Sequence, residues 1–517
     1  MGSLISRTLQ ILKKMLAAGR KTLLITVCVV VIIIWLGFNK KNLIIKPINN
    51  SEFRHEIITK TPIENESFVQ NVQRYALNGV IAVATFDVTY ASMALNLYLT
   101  SFKKLNIDNY LFIATDNLGC EKLKPFGAHC IHYMNSKKAK RASVYGSPDY
   151  NINTCLKPKI VLDSLKCGLD ILLVDLDIVF FQNPLPFFTK YRDFDFISQL
   201  DPSGNSVNSG FFLVRNTIGG IRLFEEINKI IPKKPTRNDQ DYVNNAVRRL
   251  GKITRIQYLP TDIFPLGNKF FNAGHRMFVG DNPCKKCVIM HNNYISSVEA
   301  KIYRFKEYGL WLVDEHLYYS DTNRKYIKYD NPVDFNVNKH GIDTTIEMEL
   351  VSLKAALIIG QILNRTVILP KFHCRGAKGY KPLPGQMCHF AMHFAVRRFN
   401  YYLPALGAYR ESVFLEHPLV PESTKKSISK LILIDGPVWH KPYNATSRRP
   451  DHVRIYDPKE HHISSSEIKK WFLAESAKVL SFHSLYNEFD KEEDEIRDIL
   501  IKLNKAIVRS NFLQIRQ

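Results

Sequence analysis

No carboxylate occurs before Glu52 in this chain of 517 residues. Within that acid-free stretch, Thr22–Phe38 (TLLITVCVVVIIIWLGF) has no charged residue of either sign. Arg7, Lys13, Lys14, Arg20 and Lys21 precede it, and Lys40, Lys41 and Lys46 follow. No small-x-small cleavage site comes after the span, which excludes a cleaved signal peptide and leaves a retained signal anchor. As a helix the span is ~25 Å long, short for a plasma membrane and suited to a thinner early-secretory bilayer. The basic excess in front of it puts the amino terminus in the cytosol. Cysteine is also sparse: there are nine, and only Cys284-Lys-Lys-Cys287 forms a close pair. With no second pair at fitting spacing, a zinc site is disfavoured against a disulfide or free thiols. A motif of interleaved aromatic and basic residues is missing as well, which argues against nucleic acid.

The basic residues are in excess, with a formal net charge of +23. A lumenal protein of that sign suits phosphate-bearing donors, acidic glycans or a membrane surface. Four Asn-x-Ser/Thr sequons, at Asn49, Asn65, Asn364 and Asn444, agree with a lumenal location. So do the eight cysteines after the span, Cys120, Cys130, Cys155, Cys167, Cys284, Cys287, Cys374 and Cys388, whose pairing the sequence leaves open. The expected organisation is a cytosolic tail (1–21), an anchor (22–38), a stem (39–75) without clear apolar period, a first α/β domain (76–318) and a second (319–517).

The first domain is organised around Ile171–Pro184 (ILLVDLDIVFFQNP). Its apolar runs suit a strand buried on both faces, and Asp175 and Asp177, at i and i+2, project to one side of it. Two buried carboxylates that close together call for a cation, and a hard divalent ion, Mn²⁺ or Mg²⁺, shared with a substrate's phosphates meets the need. The preceding KPKIVLDSLKCGLD reads as a helix ending near Gly168. Upstream, Gly79–Thr85 and Tyr110–Thr115 read as strands around a helix at Ala91–Leu105. That βαβ opening implies parallel strands, with Thr85 and Asp116 on the same carboxyl rim as Asp175 and Asp177. Further strands are expected at Phe194–Gln199 and Phe211–Asn216, and helices at Ile218–Ile231 and from Asn238 to about Leu250. Val288–Met290 reads as a strand ending at His291, a candidate third metal ligand.

Four pieces in this order, KPKIVLDSLKCGLDILLVDLDIVFFQNP, NSGFFLVRN, NDQDYVN and HNNYISSVEAKIYRFKEYGLW, resemble the nucleotide-diphospho-sugar transferase domain of glycosyltransferase family 77. The resemblance covers residues 79–313. It implies the GT-A fold, with a mostly parallel central sheet flanked by helices. It also implies a metal-dependent, retaining Golgi enzyme that uses a nucleotide sugar, usually UDP-linked, and transfers to a glycan or glycoprotein. By position, Asp175, Asp177 and His291 would hold the metal, and Asp175 would also meet the donor. Lys157, Lys301, Asn208, Thr85 and Asp116 would line the donor site, with Lys301 near the leaving phosphate and Thr85 near the uracil or ribose. Asp239 and Gln240 would flank the transferred sugar as catalytic residues. Ser297 stands where the family pattern has glycine, a departure expected to weaken donor binding if the backbone must approach a phosphate there.

Asp314–Asn338 is polar and tyrosine-rich and reads as a linker. Beyond it, a helix at Ile346–Leu363 and a strand at Thr366–Leu369 open a second α/β domain, an accessory without catalytic residues of its own. Its LNRTVILPKFHC resembles the carboxyl-terminal region of some family-77 members. Two rival readings use the same residues. ILLVDLDIV fits the strand-then-DxD pattern of haloacid-dehalogenase-type phosphatases, with Asp175 as nucleophile and Asp177 as acid/base, although those enzymes place it on their first strand. The other rival is a non-catalytic lectin-like or scaffolding relative.

Overall fold

Val80–Phe86 (β1), Tyr110–Ala114 (β2) and Asp170–Val174 (β4) are short apolar runs, and β1 pairs in parallel with both of the others. Cys130–His132 (β3) extends this sheet in parallel beyond β2. In the computed structural model, the described residues are 66–133, 142–201, 206–271, 284–330 except 296, 342–374, 387–403, 408–433, 453–456 and, with short gaps, 462–506. The expected tail, the Thr22–Phe38 span, the stem up to residue 65, Asn49, Asn65 and Asn444 lie outside them. Among the described residues, no helix is long and apolar enough to cross a membrane.

After a turn at Asp175–Asp177 the chain continues as Ile178–Phe180 (β5), and then Phe196–Asp201 (β6), Ser206–Val214 (β7) and Ile256–Leu259 (β8) complete a seven-stranded sheet without β5. Its order is β3-β2-β1-β4-β7-β6-β8. Every strand runs parallel to β1 except β7, which is antiparallel to both β4 and β6. Helix Ala91–Leu97, continued by a π-helical stretch at Tyr98–Lys103, covers one face and buries Met93, Leu97 and Phe102. Helices Lys157–Leu165, Ile218–Ile230 and Asp239–Leu250 cover the other, with Ile160, Phe224 and Val243 in a second core. Gly168, at φ +85°, supplies the left-handed turn from helix Lys157–Leu165 into β4.

Three expectations change here. Residues 66–75 of the expected stem form the helix Glu66–Tyr75, which buries Phe68 and Val72 in that second core. Their four-residue spacing puts both side chains on one helix face. The apolar run expected as one strand through Phe181 is two strands, because Asp175–Asp177 turn the chain and β5 pairs antiparallel with Ile289–His291 (β9). The stretch expected as a linker contains Tyr326–Tyr329 (β10), and Tyr318, Tyr319, Tyr326 and Tyr329 are buried. Tyrosine reads as polar in sequence, yet most of its surface is an apolar ring that packs well once the hydroxyl is bonded, as Tyr318 is to Glu411 Oε2 at 2.7 Å.

β10 lies inside a second sheet, six-stranded and parallel throughout. Its other strands are Thr366–Ile368 (β11), Tyr409–Arg410 (β14), Ile428–Leu433 (β15), Val453–Tyr456 (β16) and Val479–Phe482 (β17), in the order β14-β11-β10-β17-β15-β16. A hairpin of Phe372–His373 (β12) and Met387–Cys388 (β13) sits beside it. Tyr326, Phe414 and Val479 from this half share one core with Phe180 and Phe211. Disulfides join Cys120 to Cys130, Cys284 to Cys287 and Cys374 to Cys388, leaving Cys155 and Cys167 free.

Candidate active site

The site forms where β4 ends. The turn at Asp175–Asp177 lies on the carboxyl rim, and the β5–β9 pairing sets Ile178 opposite His291, so the imidazole arrives beside Asp177. One ligand atom each from Asp175, Asp177 and His291 lie within 4.8 Å of one another. β7 reaches the same place because it is antiparallel: its entry end, not its exit, meets the rim, and Asp175 N donates to Gly210 O at 2.7 Å. Gly210 is required there. A Cβ on it would stand 2.5 Å from Asp175 Oδ2 and 2.6 Å from His291 Cε1.

The donor set fits a hard divalent cation. Gln199 Nε2 donates to Phe264 O at 3.0 Å, which turns its Oε1 toward His291 Nδ1, also at 3.0 Å. A partner on Nδ1 orients the ring, and Nε2 lies 3.2 Å from Asp177 Oδ1. An imidazole nitrogen and two carboxylates converging in this way are ligands a hard divalent cation accepts. The Nε2–Oδ1 separation is close to the ~3 Å edge of an octahedral shell with bonds of about 2.1 Å. Lys301 Nζ holds the other oxygen of Asp177 at 2.7 Å. Burial alone would raise the Asp177 carboxyl, but Lys301 and His291 hold it far below the usual carboxylate range.

Lys157 is nearly buried between Asp175 Oδ1 at 3.0 Å and Asp239 Oδ2 at 2.9 Å. Burial would push its ammonium down, and the two carboxylates outweigh that and hold it well above its ordinary range. Asp239 rises too. Burial lifts it, Lys157 pulls it down, and Asp175 adds to the rise, because two carboxylates share one ammonium. Gln240 accepts from Ser209 N at 3.2 Å and from Asn208 Nδ2 at 3.4 Å, while Asn208 Oδ1 accepts from Gly210 N at 3.0 Å. Asn238 caps this helix by accepting from Asp241 N, so capping and site-building occupy adjacent residues.

The expected residues thus divide. Asp175, Asp177, His291, Lys157, Lys301, Asn208, Asp239 and Gln240 come together. Thr85 lies on the rim at the end of β1, half-buried. Asp116 is a correction: its carboxylate is occupied by Val88 N (2.8 Å), Leu118 N (3.1 Å) and Gly119 N (2.8 Å). It ties the loops after β1 and β2 together and is not open to a donor. The sequence reading missed Gln199, Gly210, Asp201 and Tyr294. Gln199 had a signal, a polar residue ending an apolar strand. Tyr294 had none: its hydroxyl donates to Asp201 Oδ2 at 3.1 Å, the oxygen that also accepts from Gln240 Nε2 at 3.4 Å. Tyr90, on the loop after β1, also lies near the acids. Burial first, then Asp87, Asp177 and Asp175, push the Tyr90 hydroxyl up to about 12.

Ser297 has a backbone that suits glycine, at φ +77° and ψ +149°, while its side chain caps helix Val298–Glu307 by accepting from Ala300 N. That region is nearly glycine-only and costs a larger residue about 1–3 kcal/mol. Ser297→Gly gives up a few tenths in the cap and about 0.4–1 kcal/mol in chain entropy. We expect a net gain of about 1 kcal/mol, read as a melting temperature roughly 1–2 °C higher. A lower melting temperature would show that the cap matters more than the strain.

Residues 105–305 match the family model described as nucleotide-diphospho-sugar transferase. Among named relatives, a UDP-D-xylose:L-fucose alpha-1,3-D-xylosyltransferase of Arabidopsis thaliana is 25% identical over 48% of this chain and 75% of its own. The Arabidopsis arabinosyltransferase XEG113 is 23% identical over 84% of this chain and 74% of its own. A UDP-galactose:fucoside alpha-3-galactosyltransferase of Dictyostelium discoideum is 26% identical over 46% of this chain and 45% of its own. The solved structure of mouse xyloside xylosyltransferase 1 is similar at 10% identity over 41% of this chain and 97% of that one, with a TM-score of 0.27.

Proposed function

We infer that this protein, a glycosyltransferase with a GT-A-like nucleotide-diphospho-sugar transferase domain, moves a sugar from a UDP-sugar to a hydroxyl of a glycan or glycoprotein in the Golgi lumen, with retention of configuration. The observation that carries this reading is the Asp175–Asp177–His291 cluster on the carboxyl rim, with Lys301 and Lys157 against its carboxylates. Relatives whose names specify UDP-xylose or UDP-galactose support a UDP-linked donor. The uncharged Thr22–Phe38 span, the three disulfides and the exposed sequon residue Asn364 support a type II protein of the secretory pathway.

Breaking a sugar–phosphate bond leaves a nucleoside diphosphate with added negative charge and an electron-poor sugar. Asp175, Asp177 and His291 would hold Mn²⁺ or Mg²⁺, which when bound neutralises charge on the departing diphosphate. Lys301 supplies a second positive charge beside it, fixed before the reaction and so requiring no reorganisation during it. Lys157 bridges Asp175 and Asp239 and orients both carboxylates. Asn208, Asp239 and Gln240 lie together on the side where the transferred sugar would sit, and their amides and carboxylate fix its hydroxyls. The phosphatase reading fits less well, since both acids follow the fourth strand and not the first, and Asp177, which would be its acid/base, is engaged by His291 and Lys301.

The test is nucleotide release by the purified protein across a panel of UDP- and GDP-sugars. Release from one UDP-sugar with Mn²⁺ is expected, with loss on EDTA and recovery when Mn²⁺ is restored in excess. Release indifferent to EDTA, or none from any nucleotide sugar by a folded protein, would sink the reading.

A further inference from the structure

Between β3 and helix Lys157–Leu165, residues 142–155 come against the amino-terminal end of helix Asp239–Leu250. Two contacts fix them there: Tyr145 Oη accepts from Asn238 Nδ2 at 3.3 Å, and Cys155 Sγ donates to Arg237 O at 3.6 Å. The segment is itself ordered. Ser147 N donates to Val144 O at 3.0 Å, and the Ser147 side chain caps the short helix Pro148–Thr154 by accepting from Tyr150 N. Tyr145 is nevertheless 67% exposed, and Val144 and Ile152 are exposed with it. An exposed tyrosine is normally free to change rotamer. This one is held at its hydroxyl by Asn238 and on its ring by Tyr150, with centroids 5.0 Å apart and planes tilted by 52°. A tyrosine fixed in advance offers a large contact area at little further cost in entropy. Asn238 adjoins Asp239, and Asp239 shares Lys157 with Asp175. Tyr150 lies among the same charges: burial first, then Asp239 and Asp175 against the opposing Lys157, hold its hydroxyl above its ordinary range. Outward from the acids, the order is Asp175, Lys157, Asp239, Asn238, Tyr145.

We propose that Tyr145 is the platform for the acceptor, its exposed ring stacking on the C–H face of the sugar unit whose hydroxyl receives the transferred sugar. The proposal rests on the glycosyltransferase reading and adds an acceptor contact to it. The place follows from the order of groups. The diphosphate belongs at the metal cluster and Lys301, and the transferred sugar at Asn208, Asp239 and Gln240. The acceptor must touch that sugar, so its own ring lies about one sugar further from the metal, where Asn238 and Tyr145 follow Asp239. The class follows from the surface. The Tyr145 hydroxyl is already engaged, so the residue offers mainly its ring, and the electron-rich face of an aromatic ring attracts the polarised C–H groups on the less polar face of a sugar. Uracil also stacks on tyrosine, but the base is expected near Thr85 at the end of β1. β1 and β7, the strand that carries Asn208, lie on opposite sides of β4.

Two variants of the full chain test this: Tyr145→Ala, which removes the ring, and Tyr145→Phe, which keeps it. The side chain is mostly exposed, so both are expected to fold, and a melting curve checks it. The probes are methyl glycosides of fucose, galactose and xylose, with UDP and Mn²⁺ present. Binding is read by ligand-observed NMR, transfer by the acceptor KM, and UDP affinity by titration. At least one glycoside is expected to bind the parent through its ring C–H protons. Tyr145→Ala should raise its Kd and KM about tenfold, the scale of one aromatic contact, while UDP affinity stays at the parent's value. Tyr145→Phe should remain close to the parent. Binding of none of the probes by the parent, or a parent-like Kd and KM in folded Tyr145→Ala, would overturn the proposal. An equal loss of UDP affinity would also overturn it, by showing that the ring stacks on the base. Binding needs no turnover: a parent that holds a glycoside through Tyr145 yet releases nucleotide from no donor would sink the transferase reading and leave the platform standing. Transfer that is indifferent to Tyr145→Ala would do the reverse.

Discussion

Asp177→Asn is expected to lower transfer about 10³-fold while the protein still folds. The carboxylate is 3% exposed and faces His291 Nε2 at 3.2 Å and Lys301 Nζ at 2.7 Å. Asparagine keeps the shape and removes the charge that gathers these groups. With the formal charge gone, the cluster loses an anionic ligand and Lys301 loses its anchor, so two sources of positive charge on the departing diphosphate are weakened together. Removing one preorganised electrostatic group commonly costs about 10²–10³-fold, and this substitution disables more than one. Lys301 is partly exposed and can turn to water, which keeps the stability loss to a few degrees of melting temperature. The measurement is turnover at saturating donor and Mn²⁺, with a melting curve beside it. Parent-like turnover in Asp177→Asn would mean that the cluster does not do the chemistry.

Gly210→Ala is expected to lower turnover by about 10²-fold and to raise the Mn²⁺ concentration needed, without changing any charged or polar group. The added methyl would sit 2.5 Å from Asp175 Oδ2 and 2.6 Å from His291 Cε1, closer than real Cβ contacts come. β7 is a buried interior strand with Phe211 and Phe212 packed on opposite faces of the sheet, so the backbone has little room to retreat. Asp175 or His291 must move instead, and a displacement near 1 Å in such a constellation costs about 10²-fold. Overpacking should also destabilise by about 1–3 kcal/mol. The decisive comparison is a Mn²⁺ titration of parent and variant. An unshifted Mn²⁺ requirement would show that the methyl is absorbed elsewhere and that Gly210 is not holding the site open.

Asp175 and Asp177 were legible because everything that marks them is local: an apolar run, two acids at i and i+2, and a helix before them. The same holds for most helices and strands of the first domain, whose periods lie within a few residues. Asp116 looked equivalent to the other rim acids, and nothing in its neighbours says that three backbone N–H groups from two loops converge on it. The tyrosines from Tyr318 to Tyr329 failed for a related reason. Composition reports a hydroxyl, and only packing shows that Tyr318, Tyr319 and Tyr326 fill a core shared by both halves and that Tyr329 fills the neighbouring one.

The sequence by itself determined which residues could bear the chemistry, since residue type and short spacing decide what can bind a cation or carry a charge. It also determined the run of elements, since amphipathic period is a local property. Only the tertiary structure decided that β7 runs antiparallel and so presents Gly210 instead of its far end. The same level of structure decided that β5 pairs with β9 to bring His291 to Asp177, that Gln199 fixes the imidazole, and that Lys157 sits between Asp175 and Asp239. Strand order, direction and register depend on which distant segments bury each other's surfaces, and that free energy belongs to the pairing, not to either segment alone.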